Sequence, residues 1–267
     1  SKTLNGYILR TKSSSHDLDK YVNKLSAKDF INKKIGQDYV IKTIKIHSVH
    51  DKNVPNGSWA FKSNNDFAGA LLYFNDTLSD AKKVIIKDPI RNPSEEQIKH
   101  YLDKFIKRKP LDPFRITREA CYKNIQKKFF FEELIPNYKF DKSPVNEYKF
   151  HVVNGKVNFI YITVDRLGIN KRIIVDGKGK PLNVSWCKKN DMHKFSLSNF
   201  TVSNNLIKMS DIAEKIASEF KYARIDIYDS DPSPKVGEIT FYHESGLARF
   251  SPDALDYKIG KLLERHK

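Results

Sequence analysis

Cysteine is scarce in this chain, and the two that occur, Cys121 and Cys187, stand far apart with no CxxC spacing. That excludes a disulfide framework and a zinc ribbon, and it fits a reducing cytosol. Long apolar runs are absent too, so nothing approaches the length of a membrane span. The opening "SKTLNGYILRTKSSSHD" lacks the apolar core of a secretory signal, and a cytoplasmic protein is expected. No run of five or six basic residues makes a basic tail. Internal repeats and low-complexity tracts are missing. The GxxxxGK[ST] phosphate loop is also missing, which excludes a Walker A site. No Ser-His or Cys-His pairing supports a protein nucleophile.

What is present is material for a core. Of 267 residues, 39% are hydrophobic and 12% aromatic, enough for one large domain or two to three lobes. Lys and Arg outnumber Asp and Glu by 48 to 32, a net charge of +16. Such a surface attracts polyanions: nucleic acid, nucleotide phosphates, anionic glycans or acidic lipid. The solubility of an ordinary lysine-rich chain accounts for it equally well.

Periodicity predicts a helix over 18–35 and an amphipathic helix over 94–108 with Ser94 as N-cap and Ile98, Leu102, Phe105 and Ile106 as its stripe. Another is expected over 210–220, and a last one starts from Ser251 as N-cap with Pro252 at the first helical position. Strands are expected at Trp59–Lys62, after Gly69, at 127–135, and in a hairpin about Asn154-Gly155, the favoured two-residue turn. A further turn falls at Asp176-Gly177. The pattern is α+β, with antiparallel sheet sections, and lobe boundaries are expected at 51–58 and 136–146.

The stretch "ARIDIYDSDPSPKVGEITFYHESG" carries charges where a core strand would carry valines. Side chains alternate along strands, so Tyr222, Arg224, Asp226 and Tyr228 share one face and Ala223, Ile225 and Ile227 the other. On the return strand Val236, Glu238 and Thr240 share a face, opposite Gly237, Ile239 and Phe241. A short connection makes the strands antiparallel, and burying the isoleucines forces Arg224, Asp226, Glu238 and Thr240 together. Two carboxylates and a hydroxyl suit Mg²⁺, which takes one or two carboxylates and completes its shell with phosphates and water. An Arg beside them can stabilise developing negative charge. A solvent-facing sheet with a cross-strand ion pair is the competing reading. His243, just beyond, reads as a surface histidine or a substrate contact.

Three weaker features accompany the hairpin. Lys62 closes a short strand before a polar, glycine-containing loop, a place where a lysine and backbone N–H groups can meet phosphates, or simply an exposed strand end. "KKFFFEELIP" offers an adenine slot, or a core strand with Glu132 and Glu133 exposed at its exit. Lys149 stands alone among strand residues, where a snorkelling surface lysine is the plain alternative.

In this order the features resemble the ATP-grasp fold, and within it the teichuronopeptide-biosynthesis (TupA-like) amidoligase family. The C-terminal "RIDIY…VGEITFYHESGLARFSPDALDYKIG" is similar to the family's R-x-D-x-Y…G-E-x-T-F-Y block. "TREACYKNIQKKFFFEELI", "EYKFHVVNGK", and more loosely "LSAKDFINKKIG" and "WAFKSNN", resemble its earlier segments. The resemblance covers about residues 26 to 264. It implies two α+β lobes with antiparallel sheets gripping a nucleotide: 1–58 a lead-in segment, 59–140 the small lobe, and 141–267 the lobe with the metal site. It implies that Lys62 and Lys28 contact nucleotide phosphates and that Glu132, Glu133, Leu134 and Ile135 form the adenine hinge. Lys149 and Arg166 would line the cleft, Asp226, Glu238 and Thr240 would hold Mg²⁺, and Arg224 would stabilise the reacting charge. The loop after Lys62 departs from the family, with Asn64, Asn65, Asp66 and a single Gly69 in place of His and more glycine. No second acid for the ribose is evident after the hinge, and an Arg expected near Asn32 is absent. The implied activity is ATP-dependent joining of a carboxylate to an amine, in capsular or other cell-surface polysaccharide biosynthesis. A kinase acting on a glycan hydroxyl and a non-catalytic binder of anionic glycan or nucleic acid are the alternatives.

Overall fold

The structure is a computed structural model that describes residues 2–45, 53–65, 69–108, 112–135, 146–164, 171–187 and 200–264. Two antiparallel sheets organise it. The first has six strands in the order β1 (Thr43–Lys45), β6 (Phe129–Glu133), β2 (Trp59–Ser63), β3 (Ala70–Phe74), β4 (Thr77–Asp80) and β5 (Ile90–Arg91). The second has five, β12 (Lys235–Thr240), β11 (Tyr222–Tyr228), β7 (Glu147–Val153), β8 (Lys156–Val164) and β9 (Lys171–Asp176). A small ribbon of β10 (Ser185–Cys187) and β13 (Arg249–Ser251) pairs separately. The helices are α1 (Leu4–Thr11), α2 (Asp19–Val22), α3 (Ser26–Ile35), α4 (Glu95–Lys107), α5 (Pro113–Thr117), α6 (Leu206–Ala217) and α7 (Ala254–Glu264).

Alternation sorts both sheets. In the six-stranded sheet Trp59, Phe61, Leu71, Leu78 and Phe131 pack on Ile98, Leu102 and Phe105 of α4. Helix α4 carries the expected stripe, and its Ser94 cap is completed by Gln97 into a capping box. Ala60, Lys62, Phe130 and Glu132 therefore turn to the opposite face. In the five-stranded sheet Ile225, Ile227, Ile239, Phe150, Ile160 and Val175 join one core with Met209, Ile212 and Ile216 of α6. The Asn154-Gly155 turn has positive φ at both residues, 50° and 73°, as a type I′ hairpin needs.

Four sequence expectations need correction. The helix expected over 18–35 is broken: Asn23 is extended, and its Oδ1 accepts the Leu25 N–H at 3.0 Å in an Asx turn. Helix α6 begins at Leu206 and ends at Ala217 rather than running 210–220. Ser251 is not an N-cap but the last residue of β13, paired with Ser185, and Asp253 O accepts the Tyr257 N–H at the start of α7. Val236 leaves the polar face because the register shifts between Asp226 and Ile227, so that Ile227 opposes Val236 and Gly237 is bulged out.

The segment 1–58, expected as a lead-in, is shared between the sheets. Strand β1 forms an edge of the six-stranded sheet. Helix α1 instead packs on α7, with the Asn5 N–H on Asp256 Oδ1 at 2.9 Å and Asn5 Nδ2 on Oδ2 at 3.1 Å. The loop expected as the other boundary, 136–146, lies almost wholly outside the described residues.

Candidate active site

Strand pairing assembles the floor. Arg224 opposes Thr240, and Asp226 opposes Glu238 on β12 and Lys149 on β7. Arg224 Nε meets Asp226 Oδ1 at 2.6 Å and Nη2 meets Oδ2 at 2.8 Å, a bidentate pair. Nη2 also donates to Thr240 Oγ1 at 3.0 Å, and that hydroxyl donates to Glu238 Oε1 at 2.7 Å. Lys149 Nζ is 2.6 Å from Asp226 Oδ2 and 2.8 Å from Glu147 Oε2. Lys149 is thus no snorkelling lysine but the centre of a buried ion network with Arg224 and Asp226.

His243, expected at the surface, is 5% exposed, and its Nδ1 lies 2.8 Å from Arg224 Nη1. A guanidinium only donates, so this Nδ1 is the acceptor and the ring is neutral, with its proton on Nε2. Burial, reinforced by Arg224, pushes the His243 pKa well below the ordinary value. The four bonds of Arg224, to both Asp226 oxygens, Thr240 and His243, leave one of its five N–H groups, on Nη1, without a partner among the described residues.

The charges balance unevenly. Burial drives the Asp226 carboxyl up against the pull of Arg224 and Lys149. At Glu238 burial is outweighed by Lys24, Arg224, the Thr240 hydroxyl and Lys149, and the pKa falls. Glu238 is the half-buried carboxylate of the pair, whereas Asp226 is 2% exposed.

A second cluster sits on the α4-distal face of the six-stranded sheet. Lys62 Nζ pairs with Glu132 Oε1, and Lys28 Nζ is 3.0 Å from Glu132 Oε2. Lys28 also donates to Ile41 O at 3.1 Å. Burial works against ionising Glu132, but the two lysines overcome it and hold its pKa to about 2. Glu132 was expected at the exit of a strand with its backbone on adenine; here its side chain gathers both expected nucleotide lysines. Glu133 follows with an exposed side chain and its N–H on Lys42 O at 3.0 Å, and the Leu134 N–H is on Ser58 O at 3.0 Å. Ile135 is the last described residue before 146. Arg166 lies outside the described residues.

Asn64 couples the two clusters. Two residues after Lys62, it accepts the Lys24 N–H at 3.0 Å, donates to Asn23 Oδ1 at 3.2 Å, and exchanges bonds with Lys128. Lys24 is the cation that acts most on Glu238. Sequence reading gave no role to Glu147, His151 or Glu119, and met Asn64 only as a departure from the family's loop. Alternation could have found Glu147 and His151, which flank Lys149 at steps of two; nothing local marks Asn64.

The donor set fits a hard cation. Asp226 and Glu238 are direct cross-strand neighbours offering oxygen only. A carboxylate has about four lone-pair directions; three at Asp226 are taken by Arg224 and Lys149, whereas Glu238 Oε1 accepts one hydrogen bond and approaches Arg224 only at 3.7 Å. Glu238 would therefore contribute most, Asp226 one direction, and Thr240 the lone pair its two hydrogen bonds leave. Among the described residues no group of three or more His, Cys, Asp or Glu is placed to hold a metal. Phosphate and water would have to complete the shell, the usual arrangement for Mg²⁺.

The ATP-grasp ligase PsnB, solved with its minimal precursor, is similar with a TM-score of 0.48 and 11% identity over 96% of this chain and 63% of its own. D-alanine–D-alanine ligase from Helicobacter pylori gives 0.47 and 13%, covering 92% of this chain and 61% of its own. The macrocyclase MdnC from Microcystis aeruginosa, solved with the precursor peptide MdnA, gives 0.44 and 11%, covering 97% and 67%. The chain spans less than two thirds of the length of the first two. No curated protein matches it in sequence. The family model described as TupA-like ATPgrasp matches residues 5–264, which include every side chain of both clusters, and by that match the chain belongs to the TupA-like ATP-grasp family and has an α+β ATP-grasp fold.

Proposed function

We propose that this chain is an ATP- and Mg²⁺-dependent ligase that joins a carboxylate to an amine. The observation that carries the reading is the floor around Arg224, whose guanidinium has two carboxylates and a neutral histidine about it and one N–H, on Nη1, left over. In the first step a substrate carboxylate oxygen attacks the γ-phosphorus of ATP, the bond to the β-phosphate breaks, and ADP leaves. In the second an amine attacks the acyl carbon, inorganic phosphate leaves, and the nitrogen gives up a proton. Both steps put negative charge on oxygens, and electrostatic stabilisation by preorganised donors is the main device a protein can offer.

Arg224 supplies its remaining N–H to those oxygens. Lys149 neutralises Asp226 and Glu147 beside them, and Lys62 and Lys28 stand ready to exchange Glu132 for phosphate. Glu132 to Ile135 form the hinge at the purine, and the family resemblance alone adds Arg166 to the catalytic set. Glu238, Asp226 and Thr240 would hold Mg²⁺, which when bound neutralises the phosphoryl oxygens. The acceptor is placed among glycan- or amino-acid-derived carboxylates of a capsular or other cell-surface polymer, a reading that rests on the family alone. We assign the reaction to the cytoplasm because its co-substrate would be ATP. Among the described residues no helix is long and apolar enough to cross a membrane.

The test is ADP release from Mg·ATP across pairs of carboxylates and amines, with mass spectrometry of the products. A ligase turns over fully only when both partners are present, and its product contains a new amide. Release with a single hydroxyl acceptor and a phosphorylated product would make it a kinase. Glu238→Gln is expected to lower turnover by about a hundredfold or more with the fold retained. Near-normal turnover in that variant would sink the metal assignment.

A further inference from the structure

The stretch "TREACY" does no work in the reading above, yet it carries a buried acid beside the floor. Arg118 takes a left-handed conformation after α5 and turns Glu119 inward, where it is 3% exposed. Glu119 Oε1 accepts a hydrogen bond from Ser245 Oγ at 2.6 Å. Ser245 lies in the turn His243–Gly246, where Glu244, Ser245 and Gly246 have φ of 47°, 56° and 76° in succession. Two consecutive non-glycine residues in this region are disfavoured and persist only where surrounding contacts over-determine them.

Those contacts come from separate elements. Lys12, at the end of α1, donates Nζ to Ser245 O at 3.2 Å, and its own carbonyl accepts the Ala120 N–H at 2.7 Å. Gly246 is pressed under α1, where a Cβ would meet Leu9 at 3.0 Å and Asn5 O at 3.1 Å. Residues 12, 119–120 and 245 thus form one closed set. At the head of the turn His243 lies against Trp186, ring centroids 3.9 Å apart, and takes Nη1 of Arg224.

We propose that Glu119 is a positioning residue for Arg224: through Ser245 it holds the left-handed turn that keeps His243 on Nη1. With His243 in place, the guanidinium presents its remaining N–H in a single orientation. The catalytic consequence rests on the ligase reading; the latch itself does not.

Two readouts on the full chain separate the two. The first is ¹⁵N-histidine NMR of the unliganded protein, with His243 assigned by loss of its signals in His243→Gln. Wild type is expected to show His243 as the neutral Nε2–H tautomer from about pH 6 to 8. Glu119→Ala and Ser245→Ala should abolish that single tautomer, and Glu119→Gln, which still accepts from Ser245, should restore it. Ser245→Gly tolerates the left-handed backbone but lacks the hydroxyl, so it should lose the tautomer while staying folded even where the alanine variants do not. An unchanged His243 spectrum in Ser245→Gly, or Glu119→Gln as disturbed as Ser245→Gly, would overturn the latch. The second is ADP release from Mg·ATP, in which Ser245→Gly and Glu119→Ala should lose about tenfold in kcat with KM for ATP within about twofold. Glu119→Gln should recover most of that loss, and equal kcat in wild type and Ser245→Gly would overturn the link to Arg224. A wild type that releases no ADP under any acceptor pair counts against the ligase reading, and the latch is then decided by the NMR result.

Discussion

Two buried glutamates respond to burial in opposite ways. Glu132 faces Lys28 and Lys62, and its pKa falls from 4.5 to about 2 although burial opposes ionisation. Glu119 is raised from 4.5 to about 7 by burial, because Ser245, Lys12 and Arg224 offset only part of the cost; Cys121, Tyr122 and Tyr242 are the other titratable groups around it. The signs follow from linkage. The contribution of Glu132 is present above its unfolded pKa and is lost as pH falls toward 2. That of Glu119 is full at low pH and is lost as pH rises from 4.5 through about 7. Glu119→Gln should therefore gain stability over wild type between pH 5 and 8, by up to about 3 kcal/mol, in urea unfolding at the two pH values. A stability difference independent of pH would show that Glu119 is ionised throughout. Neither role was legible in the sequence. "FFFEE" marks Glu132 as a strand acid, but the lysines that reach it come from 70 and 104 residues away.

The hairpin of β11 and β12 is the element where sequence reading went furthest. Alternation alone put Arg224, Asp226, Glu238 and Thr240 on one face, and the observed register agrees. It failed at Val236, because a bulge inserts one residue and inverts the alternation beyond it. Glycine suits the bulge: a Cβ on Gly237 would come within 2.7 Å of the Tyr228 ring. Gly237→Ala should cost about 1–3 kcal/mol by this overpacking, measured by denaturant unfolding, and should shift Asp226 against Glu238. Unchanged stability would mean that the Tyr228 ring moves aside freely. The broken helix near Asn23 teaches the same lesson. Apolar spacing over 18–35 is real, but the Asx turn at Asn23 breaks the helix, and its Oδ1 is also held by Asn64, 41 residues on.

At the scale of the molecule, the first and last described helices meet. Helices α1 and α7 pack together, and Gly260 lies so close to the chain start that a Cβ would fall 2.3 Å from Lys2 O and 2.4 Å from Thr3 Cα. Because the obstacle is backbone, it cannot swing away as a side chain could. Gly260→Ala should lower stability by about 1–3 kcal/mol and expose the Asn5–Asp256 contact to hydrogen exchange. Exchange at Asn5 as slow as in wild type would argue that α1 docks without Gly260. Since Lys12 caps α1, loosening the helix should disturb the turn at Ser245 as well.

By itself the sequence determined the strand faces, the antiparallel hairpins, the α4 cap and the residues that resemble a nucleotide-binding family. Each follows from neighbours a few positions apart, through alternation, turn chemistry and capping. Only the tertiary structure decided that Lys28 and Lys62 share Glu132, that Lys149 is bound between two acids, that His243 is buried on Arg224, and that Glu119 grips Ser245. These depend on which distant segments come into contact, and burial then sets the charge of each group. No local pattern carries that information.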